Sequence, residues 1–176
     1  EGDVSEAMVF AASFRSPVVF FCQNNQWAIS EPVRLQSGGV LADRPTGFGI
    51  PAIRVDGNDV LAVLAATRTA LARARAGEGP TFIEAVTYRM GPHTTADDPT
   101  RYRDPADLET WRTRDPISRL AGHLRATGVL ADEIEQRVQA TAATAAAELR
   151  SGCLALTDPE PLTMFDEVYA EPHPEL

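Results

Sequence analysis

The stretch FFCQNNQWAIS, residues 20–30, decides the fold. An apolar run over residues 17–22 leads into it and then breaks into side-chain amides and a tryptophan: Gln23, Asn24, Asn25, Gln26 and Trp27. Because the run shows no polar–apolar alternation, it is typical of a parallel strand that is covered on both faces. Ligands of open α/β sheets bind at the carboxyl ends of such strands. We therefore expect the asparagines to lie at the carboxyl edge of a sheet.

Helix and strand patterns alternate around this stretch. Asp3 and Glu6 have the spacing of a capping box, so Asp3 is expected to cap the first helix. Residues 31–50, rich in glycine and proline, are expected to be irregular. The patterns predict a helix over residues 4–14, a second helix that is capped by Asn58 or Asp59 and runs to about residue 76, and strands over residues 51–55 and 81–87. This order predicts an α/β fold with a parallel sheet flanked by helices.

A long polar segment separates this part of the chain from a helical one. Residues 89–104 hold few aliphatic side chains, and a loop of this length is usually functional or disordered. Three helices are then predicted: one over residues 105–112, one that begins at Pro116 with Asp115 as its N-cap, and one over residues 131–150. We therefore divide the chain into an α/β part, residues 1–104, and a carboxyl-terminal helical region of the same domain, residues 105–176.

Composition excludes several classes of function. The formal net charge of −9 argues against nucleic acid and anionic membrane surfaces as partners, because both attract basic proteins. No run approaches the roughly 18 apolar residues of a membrane span. The two cysteines, Cys22 and Cys153, do not form a disulfide framework, which fits a reducing cytoplasm.

Asn24 and Asn25 have two interpretations. An amide oxygen is a hard, neutral ligand that suits Mg²⁺, which takes oxygen ligands and shares its shell with substrate phosphates. Alternatively, the pair forms a turn, because asparagine accepts unusual backbone angles and caps nearby amides. The spacing alone favours the turn.

The polar loop offers a second candidate site. His93 and three arginines (Arg89, Arg101 and Arg103) could bind phosphate and donate protons. The alternative is a solvated surface loop that pairs its own aspartates and arginines. Of the other histidines, His123 is expected within a helix, at the boundary of its apolar side, and His173 in a solvated tail.

Four motifs in order carry a resemblance to a known family. They are QNNQWAIS (residues 23–30), VDGND (55–59), GEGPT (77–81) and YRMGPHTTADD (88–98). Together they closely resemble the alpha subunit of the thiamine-diphosphate-dependent 2-oxo acid dehydrogenase decarboxylase component. The resemblance covers essentially the whole chain and implies a thiamine-diphosphate-binding fold, in which residues 89–104 form an active-site loop.

The resemblance also implies roles for individual residues. Asn25 would give its side-chain oxygen to Mg²⁺, and Trp27 its backbone carbonyl. The residues implied to contact the cofactor are Gln23, Asn25, Ile29, Arg89 and His93. His93 is also the implied catalytic residue, since it matches a histidine that takes part in reductive acylation of the lipoyl group.

One part of the metal site is expected outside this chain. Asp3 resembles the acid of the family's Gly-Asp-Gly motif, but Val4 follows it, and the interval to Asn25 is too short for the family spacing. The family pattern puts the acidic Mg²⁺ ligand a few residues before Glu1. We therefore expect this chain to be the carboxyl-terminal part of a longer subunit.

The implied reaction is oxidative decarboxylation of a 2-oxo acid, with acyl transfer to lipoyl-lysine. The implied partners are a beta subunit, in an alpha2beta2 heterotetramer, and the lipoyl domain of an acyltransferase core. A branched-chain substrate is favoured by residues 22–30, and the expected location is cytoplasmic. The alternatives are a pyruvate or acetoin dehydrogenase alpha subunit and a non-catalytic scaffold. The isolated fragment is expected to be inactive.

Overall fold

The computed structural model of this chain describes residues 2–166 and 168–171. His173, expected in a solvated tail, lies outside the described residues. The chain divides into two compact units, Glu1–Thr127 and Gly128–Leu176. The first unit holds the sheet and the predicted site.

The strands of the first unit confirm the predicted parallel sheet. They are β1 (Val19–Asn24), β2 (Trp27–Ala28), β3 (Glu31–Pro32), β4 (Ala52–Asp56) and β5 (Thr81–Val86). Strands β1, β5 and β4 pair in parallel in that order, with β5 in the centre. Strands β2 and β3 form a separate antiparallel hairpin directly after β1. Sequence order and spatial order thus differ, as expected where helical crossovers connect parallel strands.

The helices of the described chain follow the predicted pattern. They are α1 (Gly2–Ser13), α2 (Val33–Gln36), α3 (Val60–Arg75), α4 (Pro105–Arg112), α5 (Pro116–Ala126) and α6 (Asp132–Ala155). Asp59 caps α3 by accepting hydrogen bonds from the backbone N–H groups of Leu61 and Ala62. Asp115 caps α5 through the N–H of Ser118, at 2.7 Å, as predicted.

Strand β5 carries a core on each of its faces. Alternation along the strand puts Phe82 on one face and Ile83 on the other. Phe82 packs with Met8 of α1 and with Ile50. Ile83 is fully buried against two small residues of α3, Ala66 and Ala70. Small side chains let this helix lie close to the sheet.

Three expectations were wrong in detail. Strand β1 is not covered on both faces: Phe21 and Gln23, which share one face by alternation, are exposed, so this face carries no packed layer in the described chain. Helix α1 begins at Gly2, so Asp3 lies within its first turn, and its carboxylate accepts from the adjacent Val4 N–H instead of capping the helix. Residues 31–50 are not irregular throughout, since they contain β3, α2 and the 3₁₀ turns Leu41–Asp43 and Pro45–Phe48.

The second unit consists mainly of helix α6. None of the described side chains of this helix is buried. Helices α4 and α5 belong to the first unit with the sheet, and the division at residue 104 stays a prediction. Among residues 2–166 and 168–171, no helix is both long and apolar enough to cross a membrane.

Candidate functional site

The carboxyl ends of the three parallel strands meet at one edge of the sheet. In the register of these strands, Val86 of β5 lies beside Asn24 of β1 and Asp56 of β4. The chain segments that follow these strands therefore start close together. The Asn24 carbonyl accepts from the Thr87 N–H at 2.9 Å, and the Asn25 carbonyl accepts from the Arg89 N–H at 3.2 Å. The asparagine turn and the polar loop thus converge at this edge of the sheet.

The two asparagines make different contacts. Asn24 donates from Nδ2 to Glu84 Oε1 at 2.8 Å and accepts the Gln26 N–H on Oδ1 at 3.0 Å. Asn25 accepts the Trp27 N–H on its Oδ1, also at 3.0 Å. These are two successive Asx turns, so the turn interpretation describes the local geometry. An amide oxygen has two lone pairs, and one hydrogen bond leaves acceptor capacity on Asn25 Oδ1.

A tight hairpin holds Ile29 against the polar loop. Gln26 and Ile29 have left-handed backbone conformations, with φ of 69° and 54°. The Ile29 carbonyl accepts from Arg89 Nη2 at 2.5 Å, and the same nitrogen donates to Tyr102 Oη at 2.9 Å. Arg89 therefore connects the hairpin after β1 to the far end of the loop after β5.

Asp97 organises the part of the loop that carries His93. Its Oδ2 accepts from Tyr102 Oη at 2.6 Å and from the His93 N–H at 2.8 Å. The backbone hydrogen bond from His93, followed by that from Tyr102, lowers the pKa of Asp97. Burial, followed by the Asp97 hydrogen bond, raises the pKa of Tyr102. The His93 side chain is exposed, so its backbone is fixed while its imidazole faces solvent.

Arg103 anchors the start of the same loop. This arginine is 9% exposed, and its guanidinium donates to three successive backbone carbonyls: Arg89 at 2.6 Å, Met90 at 3.0 Å and Gly91 at 3.4 Å. It also lies 5.8 Å from the centroid of the Tyr88 ring. Both Nη atoms of Arg103 are therefore engaged with the loop backbone. This removes Arg103 from the predicted phosphate-binding arginines.

Aromatic rings pack beneath the asparagine turn. Trp27 lies 5.4 Å from Tyr102 and 6.5 Å from Tyr88, measured between ring centroids. Tyr88 also stacks on Trp111 of α4 at 5.3 Å. A cavity of about 260 Å³ opens beside these rings, partly lined by Gln26. The aromatic packing thus joins the asparagine turn, the loop and α4.

The structure brings most of the predicted site residues together, with one exception. Asn25, Trp27, Ile29 and Arg89 lie within one hydrogen-bonded network, and His93 joins it through its backbone. Gln23 does not, because alternation along β1 turns its exposed side chain to the face opposite Asn24. In the described residues, no group of three or more His, Cys, Asp or Glu side chains could hold a metal ion.

Sequence reasoning did not include a third segment at this edge of the sheet, residues 56–58 at the end of β4, in the candidate site. Asn58 is buried, and its Oδ1 accepts from Thr87 Oγ1 at 2.5 Å. Arg119 of α5 donates to Asp56 Oδ2 at 2.9 Å and to the Asn58 carbonyl at 3.0 Å. Burial raises the pKa of Asp56, but the hydrogen bonds from Arg119 and Asn58 outweigh it and lower the pKa overall. Gly57 fits here because a Cβ would lie 2.9 Å from the Val86 carbonyl oxygen.

An open parallel sheet with polar turns converging at its carboxyl edge defines a ligand-binding α/β protein. The family pattern of the dehydrogenase E1 component matches residues 1–149, and the chain belongs to this family. The family resemblance of the four sequence motifs is thereby confirmed.

The relatives include alpha subunits with different names. The 3-methyl-2-oxobutanoate dehydrogenase subunit alpha of Mycobacterium tuberculosis is 52% identical over 100% of this chain and 48% of its own length. The pyruvate dehydrogenase E1 component subunit alpha of Acholeplasma laidlawii is 49% identical over 78% of this chain and 41% of its own length. The mitochondrial 2-oxoisovalerate dehydrogenase subunit alpha of Dictyostelium discoideum is 40% identical over 100% of this chain and 41% of its own length. The chain thus spans less than half the length of these relatives.

Proposed function

We propose that this chain is part of the alpha subunit of a branched-chain 2-oxo acid dehydrogenase decarboxylase component. The observation that carries the substrate class is the identity of 52% over the whole chain to the mycobacterial relative named for 3-methyl-2-oxobutanoate. The asparagine turn and His93 loop, joined at one sheet edge, support a role in cofactor binding.

The family uses thiamine diphosphate, and the residues of this edge fit such a cofactor with Mg²⁺. Asn25 Oδ1 and the Trp27 carbonyl would hold the metal as neutral oxygen ligands, a type that Mg²⁺ accepts. The hydrogen bond between Asn25 Oδ1 and the Trp27 N–H keeps these two residues together in one turn. An acidic ligand from the preceding part of the subunit completes the proposed site. When bound, thiamine diphosphate supplies the electron sink for decarboxylation.

The other proposed contacts come from the hairpin and the loop. Ile29 contributes its strained backbone, whose carbonyl already binds Arg89. Arg89 keeps the loop beside the hairpin, and His93 presents an exposed imidazole at the site entrance, where it can hold or move a proton during acyl transfer. Gln23, exposed near the carboxyl end of β1, is proposed as a further cofactor contact.

The proposed assembly contains three kinds of partner. A beta subunit completes the active site in an alpha2beta2 heterotetramer. The lipoyl domain of an acyltransferase core accepts the acyl group on lipoyl-lysine. The substrate is a 2-oxo acid. We place the protein in the cytoplasm, which the free thiols of Cys22 and Cys153 support. The isolated chain is expected to be inactive, because the acidic metal ligand and the beta subunit lie outside it.

A substrate panel tests the proposal on the full-length subunit with its beta subunit. Decarboxylation of 2-oxoisovalerate, pyruvate and 2-oxoglutarate, and cleavage of acetoin, would be compared in the presence of thiamine diphosphate and Mg²⁺. We expect 2-oxoisovalerate to give the largest kcat/KM. Preference for pyruvate or acetoin would assign the protein to those enzymes instead. Absence of cofactor binding in calorimetry would identify a non-catalytic scaffold.

A further inference from the structure

A buried carboxylate lies behind the asparagine turn. Glu84 is 1% exposed at the middle of the central strand β5, among otherwise apolar neighbours. A buried charge is costly unless it is paired and hydrogen-bonded. In the described chain, the hydrogen-bond and ion-pair partners of Glu84 are donors: Asn24 Nδ2 at 2.8 Å, the Ala42 N–H at 3.0 Å, and Arg54 Nε at 3.5 Å.

Glu84 determines which way the Asn24 amide faces. With Nδ2 donating to Glu84, Asn24 Oδ1 faces the other way and accepts the Gln26 N–H. The reversed amide would place its oxygen against the carboxylate and its NH₂ against a backbone N–H, which loses both hydrogen bonds. The Glu84 contact therefore selects the amide orientation that forms the turn.

The turn held in this way carries the proposed metal ligands. Asn24 Oδ1 closes the turn around Asn25 and supports Gln26, whose φ is 69°. This conformation is unfavourable for a residue other than glycine and persists where its surroundings enforce it. Asn25 and Trp27 lie on either side of Gln26, so their positions follow from its backbone.

We propose that Glu84 is a positioning residue for the Mg²⁺ and diphosphate site, acting through Asn24. This inference rests on the proposed function. Glu84 does not contact the metal; it orients the side chain that shapes the ligand turn. A carboxylate suits the position because it is an acceptor on both oxygens, whereas a glutamine would direct NH₂ hydrogens at one of three donors. Loss of such outer contacts typically weakens metal binding 10- to 100-fold.

A reciprocal exchange of the two side chains tests the contact itself. Glu84→Gln, Asn24→Asp and the double variant would be made in the full-length subunit and assembled with the beta subunit. Calorimetry would measure Mg²⁺-dependent thiamine-diphosphate affinity, and thermal unfolding would measure stability. Each single substitution should weaken affinity by roughly 10- to 100-fold. The double variant should recover most of the loss, because glutamine can donate to the new carboxylate while accepting the Ala42 N–H.

A matched core variant separates positioning from stability. Ile83→Val removes a buried methyl group from the adjacent residue, on the opposite face of β5, and does not touch Asn24. It should lower the unfolding temperature and leave cofactor affinity unchanged.

The outcomes distinguish this inference from the proposed function. Wild-type affinity in Glu84→Gln, or no recovery in the double variant, overturns the positioning role alone. If Ile83→Val loses as much cofactor affinity as Glu84→Gln, then Glu84 contributes to stability and does not position the site. A wild-type enzyme that binds no thiamine diphosphate overturns the proposed function and, with it, the role of Glu84. If Glu84→Gln does not fold, Asn24→Asp and the double variant give the same comparison.

Discussion

Replacing Arg103 by methionine should release the polar loop, residues 89–104, from the sheet edge. The arginine is buried and donates to the carbonyls of Arg89, Met90 and Gly91 at 2.6, 3.0 and 3.4 Å. Methionine keeps much of the apolar stem and removes every donor. The three carbonyls then have to find other donors, and water can reach them only if the segment opens.

The expected magnitude follows from the two shorter contacts. A hydrogen bond that involves a charged group contributes about 1.5–3 kcal/mol, so two at the lower end amount to about 3 kcal/mol. The contact at 3.4 Å is long and adds little. About 3 kcal/mol corresponds to roughly a hundredfold change in an equilibrium constant. Because the loop can open locally, this change should affect loop opening more than global unfolding.

Limited proteolysis of the cofactor-free, full-length subunit measures loop opening. Under conditions where opening is fast, the cleavage rate within residues 89–104 reports the open population and should rise by about two orders of magnitude in Arg103→Met. Arg101→Met is the matched control, because Arg101 lies in the same loop and is exposed. Equal cleavage in the two variants, or a change below about threefold in Arg103→Met, would refute the anchoring role, since even one such hydrogen bond predicts more.

Three further predictions concern the site. Asn25→Ala should weaken Mg²⁺ and cofactor binding in the proposed heterotetramer. Asn25→Asp keeps an oxygen acceptor for the Trp27 N–H and should bind better than the alanine variant. Unchanged affinity in Asn25→Ala would leave Asn25 with its role in the turn alone. His93→Ala should reduce flux through the whole complex more than decarboxylation measured with an artificial acceptor, and equal losses would reject a role in acyl transfer. Folding lowers the pKa of Asp97 below its ordinary value of 3.8, so its stabilisation of the loop is present above that pH and is lost as pH falls through the folded pKa. Asp97→Asn should therefore be cleaved faster than wild type at pH 7, and most of the difference should persist down to about pH 3.8 and be lost as the pH falls below it. A difference that stays constant below pH 3.8 would contradict this.

The sequence predicts the parts of the fold that depend on local patterns. The apolar runs at β1, β4 and β5, and the caps Asp59 and Asp115, each carry their own signal within a few residues. The convergence of the asparagine turn with the loop follows from one general rule, that the carboxyl ends of parallel strands share an edge.

Contacts between distant segments were not predictable in the same way. The exposure of Phe21 depends on which elements pack on each face of β1, and an apolar run does not reveal this. The Asn24–Glu84 contact joins residues 60 positions apart and requires the register of β1 and β5. Glu84 did carry a signal, since a lone carboxylate within the apolar run of residues 81–86 needs partners. Arg103 carried none, because its sequence neighbours resemble an ordinary polar loop.

The adjacent asparagines have different chemical requirements, and this explains why the strand ends in two of them. At position 24 the side chain must donate towards Glu84 and accept the Gln26 N–H at the same time, which an amide can do and a carboxylate cannot. At position 25 the side chain accepts from the Trp27 N–H and, in the proposed site, binds a cation, so only its oxygen is used. Aspartate should therefore be far more harmful at Asn24 than at Asn25. The first asparagine shapes the turn from the core side, and the second uses that shape at the open edge of the sheet.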